Sequence, residues 1–219
     1  MLEESLIAII DYGAGNLRSV AKALAKLGYM AEVTGDAAKV AQAEAIILPG
    51  VGAAGDAMEN LRKLGLVEPL REAVAQDKPF FGVCLGLQIL FTASEEDGWH
   101  ECLGILPGIV RRLPPGLKVP HMGWNRVNQR GGSPLWQKIP DGSYFYFVHS
   151  YYVEPEDQSM VIGDTDYGRT FPSAVARGNL VGTQFHPEKS GDTGLWVYDN
   201  FCQMAGLAPA AAGLGGRTG

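Results

Sequence analysis

Phe80-Phe81-Gly82-Val83-Cys84-Leu85-Gly86-Leu87-Gln88 joins an apolar run to a helix-like segment through one cysteine, with glycine two positions to either side. This is the pattern of a nucleophile elbow with Cys in the place of Ser. Gly82 and Gly86 leave room for a sharp strand-to-helix turn that a Cβ would crowd. Such a turn lifts the sulfur to the top of a sheet and sets it near helix N–H groups that favour a thiolate. A lone cysteine in an apolar run also fits a packed core strand, so the reading needs partners elsewhere in the chain.

Those partners stand near the other end. Val181-Gly182-Thr183-Gln184-Phe185-His186-Pro187-Glu188 reads as a strand running into His-x-Glu. Residues two apart on an extended segment share a side, which predicts that His186 and Glu188 act together. A thiol nucleophile needs a base, and the base needs a group that fixes its ring and tautomer. Cys84, His186 and Glu188 supply those three roles.

Working outward, the first half alternates continuous apolar runs with helical spacing. Leu6-Ile7-Ala8-Ile9-Ile10 ends at Asp11-Tyr12-Gly13, and 16–27 carries a helical apolar stripe. Ala45-Ile46-Ile47-Leu48 ends at Pro49-Gly50, helices follow around 53–64 and 67–76, and 80–83 is the strand before the elbow. Continuous apolar strands between amphipathic helices predict an α/β fold with a mostly parallel sheet covered on both faces. From about 103 to 185 the strands are short, at 108–112, 118–127, 144–149, 160–165, 173–177 and 180–185, and are expected as antiparallel additions to that sheet. A last helix is expected over 193–204. The domain is read as 1–205, with 206–219, rich in Ala and Gly, as a flexible tail.

The 219 residues suit one domain with a full core, and 46% hydrophobic with 19% charged residues is globular composition. A net charge of −6 argues against nucleic acid as a partner. Three cysteines (Cys84, Cys102 and Cys202) with no CxxC pair suit a reducing compartment. No stretch is apolar enough to span a membrane and the first residues lack a signal peptide's basic region, so a cytoplasmic protein is expected. Cys102 and Cys202 read as core. His100 and His121 lack metal-ligand company, and no metal or cofactor is expected.

Two further loops follow strands. Pro49-Gly50-Val51-Gly52 can aim backbone N–H groups at an anion, although a Gly-rich turn needs no ligand. Asp11-Tyr12-Gly13-Ala14-Gly15-Asn16 carries only a fragment of a dinucleotide fingerprint. Asn16 reads as a helix N-cap.

Taken together, these segments resemble the class I (triad) glutamine amidotransferases over the chain to about residue 205. The resemblance rests on Gly82-Val83-Cys84-Leu85-Gly86-Leu87-Gln88 and Phe185-His186-Pro187-Glu188. Within the family it is nearest the glutaminase subunits serving imidazole glycerol phosphate synthesis. That placement rests on Asp11 to Asn16, Pro49 to Gly52, His121-Met122-Gly123-Trp124-Asn125 and Tyr146-Phe147-Val148-His149-Ser150-Tyr151. Relatives serving anthranilate, GMP or carbamoyl phosphate synthesis usually carry His where this chain has Leu87.

The resemblance implies that the Cys84 thiolate attacks the side-chain amide of L-glutamine, with His186 moving protons and Glu188 holding it. It places the oxyanion at the N–H of Leu85 and at one from the Gly50-Val51-Gly52 loop, that of Val51. Gln88 and Glu96 are implied at the α-amino acid end of glutamine, and the backbone of His149, Ser150 and Tyr151 at its carboxylate. Asn16, Trp124, Tyr146 and Lys189 are implied at the interface with a (β/α)8-barrel cyclase subunit that receives the ammonia in a heterodimer. Packing would equally explain Trp124 and Tyr146, and solvation Lys189. Two glycines around Val51 let one peptide reorient, so the lone subunit is expected to be nearly idle. The rival readings are a glutaminase subunit for another synthase, such as pyridoxal phosphate synthase, and a catalytically silent binding module of the same fold.

Overall fold

In the computed structural model of the chain, which describes residues 6–210, the apolar runs of the first half are the strands expected of them. In order come β1 (Ile7–Ile10), α1 (Leu17–Lys26), β2 (Ala31–Thr34), α2 (Ala37–Gln42), β3 (Ala45–Gly50), α3 (Ala54–Lys63), α4 (Val67–Ala75), β4 (Phe80–Cys84) and the single turn α5 (Leu85–Gln88). The second half adds β5 (Phe91–Ser94), β6 (His100–Glu101), β7 (Leu106–Arg112), β8 (His121–Arg126), β9 (Asn128–Gln129), β10 (Tyr144–His149) and β11 (Tyr151–Pro155). It closes with β12 (Val161–Asp166), β13 (Thr170–Arg177), β14 (Leu180–Thr183) and α6 (Gly191–Met204).

The central sheet runs β2-β1-β3-β4-β14-β13-β12-β9. Its first five strands are parallel, and β13, β12 and β9 continue it antiparallel. β1, β3 and β4 are apolar throughout because both faces are covered. Ile7, Ile9, Ala45, Ile47, Phe81 and Val83 face α1 and α6, while Ala8, Ile10, Ile46, Leu48 and Phe80 face the side of α2 to α4. Burying each such side chain fully contributes about 1.5–3 kcal/mol.

β13 and β12 are antiparallel additions of the kind expected of the second half, but they are not the whole of it. Only some of its strands extend the sheet: β8 and β10 form a separate antiparallel pair, and β11-β7-β5-β6 a four-stranded sheet. The reason lies in β14, which pairs in parallel with β4. The chain's last strand fills the place beside the elbow strand, so the segments between them can join the sheet only beyond it, as β13, β12 and β9 do, and the rest pair among themselves. The β8–β10 pair thereby lies over the carboxyl ends of β3, β4 and β14, where sites of α/β sheets form.

Two local readings are corrected. Asn16 occupies the N-cap position of α1, but its side chain makes no cap bond and instead accepts the Ser19 hydroxyl at 2.9 Å. The domain also runs past 205. Leu207 is buried in the core and Ala210 N–H donates to the Gly28 carbonyl at 2.8 Å. The rest of the expected tail, 211–219, lies outside the described residues. No helix among the described residues is long and apolar enough to cross a membrane.

Candidate active site

The elbow is formed by the conformation of one residue. Cys84 has φ 55° and ψ −111°, a left-handed backbone that a side chain adopts only at a cost. The neighbouring glycines permit the turn. A Cβ on Gly86 would run into the Leu48 carbonyl, and one on Gly82 would come within 2.8 Å of Leu90 and 2.9 Å of the Gly86 carbonyl. The sulfur sits at the end of β4, level with Gly50 of β3. Leu85 opens α5, so its N–H is among those a helix leaves unspent. With α5 only one turn long, what it offers beside the sulfur is these nearest N–H groups rather than a long helix dipole. Gln184 Nε2 donates to Cys84 Sγ at 3.7 Å, and Sγ lies 3.9 Å from the Val148 carbonyl.

His186 and Glu188 meet, though not by strand alternation. β14 stops at Thr183, and Pro187 opens a 3-10 turn over Pro187–Lys189 that folds Glu188 back onto the ring. His186 Nδ1–H donates to Glu188 Oε1 at 2.8 Å, with the two side chains 2% and 1% exposed. The Tyr198 hydroxyl from α6 donates to Glu188 Oε2 at 3.3 Å. Burial opposes charge on His186, while the Cys84 thiolate and Glu188 favour it, and the balance lifts the ring to about 10. His186 Nε2 is buried without a hydrogen-bond partner among the described residues, yet Cys84 lies near enough to influence the ring. The turn is held from β10: His186 N–H donates to the Tyr146 carbonyl at 2.9 Å, and Tyr146 N–H to Ser190 Oγ at 3.0 Å.

A cavity of about 380 Å³ opens in front of Cys84. Its wall is made of Val51, Gly52, Cys84, Leu85, Gln88, Glu96, Pro120, Val148, His149, Ser150, Tyr151 and Lys189. The volume suits a small amino acid, and one wall gathers every residue assigned from sequence to glutamine. Gln88 spends Nε2 on the Tyr151 carbonyl at 2.8 Å and on Gln184 Oε1 at 3.1 Å, leaving its Oε1 as acceptor. Glu96 has a second duty: its Oε2 accepts the Ala54 N–H at 2.7 Å, at the start of α3 and just after the Val51 loop. Burial raises the Glu96 carboxyl above the usual range. His186 and Glu188 are not on the wall and reach the site through Cys84.

The residues assigned to an interface divide. Trp124 and Tyr146 are cross-strand neighbours with ring centroids 6.1 Å apart, and Lys189 Nζ lies 5.7 Å from the Tyr146 ring. Asn16 is not part of this group and is engaged with Ser19. Trp124 is 56% exposed, with Met122 and Tyr144 exposed beside it.

Sequence reasoning passed over a buried histidine relay beneath this surface. Asn125 Nδ2 donates to His121 Nε2 at 3.3 Å, His121 Nδ1 to His149 Nε2 at 2.9 Å, and His149 Nδ1 to the Tyr151 carbonyl at 2.8 Å, in the one tautomer set that satisfies every link. His121 stacks between Phe147 and Tyr167. Burial lowers His121 to about 4 and is the largest cause lowering His149 to about 3, so both are neutral at pH 7. The opposition of His121 and His149 across β8 and β10 was the available signal, once the two strands were paired. Gln184 and Tyr198 were also passed over. Cys102 and Cys202 are free and buried, their thiols pushed up to about 12 by burial, which suits core residues.

The family model described as Glutamine amidotransferase class-I matches residues 8–203. The chain is 52% identical over 200 residues to "Imidazole glycerol phosphate synthase subunit HisH" of Dehalococcoides mccartyi (strain CBDB1), covering 91% of this chain and 98% of that protein. A protein of the same name from Moorella thermoacetica (strain ATCC 39073 / JCM 9320) is 54% identical over 198 residues, 90% of this chain and 94% of that one. Among solved structures, "Crystal structure of glutamine amidotransferase" superposes with a TM-score of 0.73 at 21% identity, covering 92% of this chain and 99% of that one. "Structure of PurLQS from Thermotoga maritima" gives 0.72 at 19% identity, covering 91% and 98%. At those identities the solved structures bear on the fold alone.

Proposed function

The chain belongs to the class I glutamine amidotransferases, and on that premise we propose how its residues divide the chemistry. It is the glutaminase subunit of imidazole glycerol phosphate synthase, in histidine biosynthesis. L-Glutamine enters the cavity at Cys84. Gln88 Oε1 and the second oxygen of Glu96 meet its ammonium, and the backbone of His149, Ser150 and Tyr151 its carboxylate.

The Cys84 thiolate attacks the side-chain amide carbon, and the carbonyl oxygen takes the negative charge. The N–H groups of Leu85 and Val51 receive that charge, each such donor being worth roughly 10²–10³ in rate. His186 Nε2 gives its proton to the departing nitrogen, and ammonia leaves a γ-glutamyl thioester. Acylation removes the sulfur's charge, one of the two influences that keep His186 protonated. The neutral ring then takes a proton from water, and the hydroxide releases glutamate and restores the thiolate. Glu188 keeps Nδ1 protonated throughout, so Nε2 alone carries the traffic. The observation that carries this reading is a strained cysteine facing a cavity with a buried His–Glu pair beside it.

The acceptor of the ammonia is a (β/α)8-barrel cyclase subunit, docked in a heterodimer over Trp124, Tyr146 and Lys189, with Asn16 at the rim. The same β10 backbone holds the His186 turn and approaches Cys84 through Val148, so docking can realign base and nucleophile together. The Val51 peptide turns its N–H toward the oxyanion only in the docked, nucleotide-bound state. The free cysteines suit the cytoplasm we assign to the reaction. A glutamine-like electrophile tests the site: adduct on Cys84, absent from Cys102 and Cys202 and blocked by L-glutamine, is expected. Labelling that ignores glutamine, or that falls on another cysteine, removes Cys84 as nucleophile.

A further inference from the structure

Tyr12 follows β1 and is 1% exposed, yet among the described residues its hydroxyl has no hydrogen-bond partner. It belongs to the buried apolar cluster that also holds Leu48, Ala54, Met58 and Leu85. A phenylalanine would pack there equally well without burying an unpaired oxygen, which is costly. Packing therefore does not account for the hydroxyl.

What the hydroxyl lies against is Gly50, the last residue of β3, where the Val51 loop begins. A Cβ on Gly50 would overlap the Tyr12 oxygen and would also approach Leu85 Cβ to 2.9 Å and Gly86 N to 3.0 Å. The order β1-β3-β4 sets Gly50 between the strand that leads to Tyr12 and the strand that ends at Cys84. Burial raises the phenol's pKa, and the charge on Cys84 adds to that, so the hydroxyl keeps its proton and stays a donor. Gly52, with φ 92°, gives the loop freedom on its far side.

A trans peptide carries its N–H and its C=O on opposite sides. When the Gly50–Val51 peptide turns its N–H toward an oxyanion on the β4 side, its carbonyl turns toward the β1 side. We propose that Tyr12 is a positioning residue for the oxyanion loop, its hydroxyl donating to the Gly50 carbonyl when the Val51 N–H faces the reacting oxygen. In the conformation described here that hydrogen bond is unmade. The orphaned hydroxyl thus favours the competent loop without touching glutamine. The inference rests on the reading of Val51 as an oxyanion donor and names what holds it there.

The test is Tyr12→Phe in the complex with the cyclase subunit and its nucleotide, followed as glutamate release against glutamine concentration. The hydrogen bond exists only in the competent loop, so kcat falls roughly tenfold while KM stays put. The Tm of the variant subunit is equal to or above that of the wild type, because an unpaired buried hydroxyl has gone. An unchanged kcat overturns the proposal. So does a fall in kcat accompanied by a lower Tm, which would mark the hydroxyl as structural. Cys84→Ala is assayed alongside: residual glutamine turnover there overturns the reading of the site itself, a failure distinct from an unaltered Tyr12→Phe.

Discussion

Lowering the pH from 6.5 to 4.5 attacks this domain at His121 and His149. Both are buried neutral, with His121 lowered to about 4 and His149 to about 3. An unfolded histidine titrates near 6.5. Below that pH the unfolded chain takes up a proton that the folded chain refuses. The stability is therefore complete above 6.5 and is lost as pH falls toward the folded values. Each such proton contributes a slope approaching 1.4 kcal/mol per pH unit. For His121 alone the loss between pH 6.5 and 4.5 integrates to about 2 kcal/mol. His121→Gln removes the titrating ring and keeps an amide that can donate to His149 Nε2. Urea unfolding of wild type and variant at pH 6.5, 5.5 and 4.5 isolates the term, because the carboxylates are common to both. The wild type is expected to lose about 2 kcal/mol more than the variant over that range. Parallel curves would mean that His121 is already charged or solvated in the fold, and the relay through His149 to Tyr151 would fall with it.

Two further outcomes follow from the site. Glu188→Gln takes the charge from His186 Nδ1 but spares the thiol, so kcat should fall roughly 10²–10⁴-fold, less than for Cys84→Ala; an unchanged rate at saturating glutamine removes Glu188 from the triad. Glutamine hydrolysis should rise from the isolated subunit to the complex and again with nucleotide bound, by roughly 10²–10³ if only one oxyanion donor is gained. Equal turnover in all three states rules out the Val51 switch.

The half of the fold nearest the elbow was legible because its strands are buried on both faces, and runs such as Ala45–Leu48 admit few other readings. β2 was not, since Ala31–Thr34 is an edge strand with only Thr34 buried. β5 and β11 were missed for another reason: each is short and shares its sheet with strands far along the chain, as Phe91 does with Leu106 and Tyr151 with Arg112. Cys84, His186 and Glu188 could be named because nucleophile, base and orienter are distinctive residue types in distinctive settings. Tyr12 could not. In sequence it is only a residue before a turn, and its importance comes from where β1 lies relative to Gly50. His121 was set aside as a metal ligand for want of ligand company, and nothing local shows that β8 and β10 bring it against His149. Asn16 shows the opposite failing, a good N-cap residue in the right place whose oxygen the Ser19 hydroxyl takes first.

The most direct measurement compares glutamine and free ammonia as nitrogen donors for synthesis by the complex carrying Cys84→Ala. If Cys84 makes the ammonia and the partner subunit uses it, glutamine-dependent synthesis drops to background while ammonia-dependent synthesis continues at the wild-type rate. Glutamine-dependent synthesis that survives the substitution, or loss of the ammonia-dependent reaction in an intact complex, would contradict that division of labour.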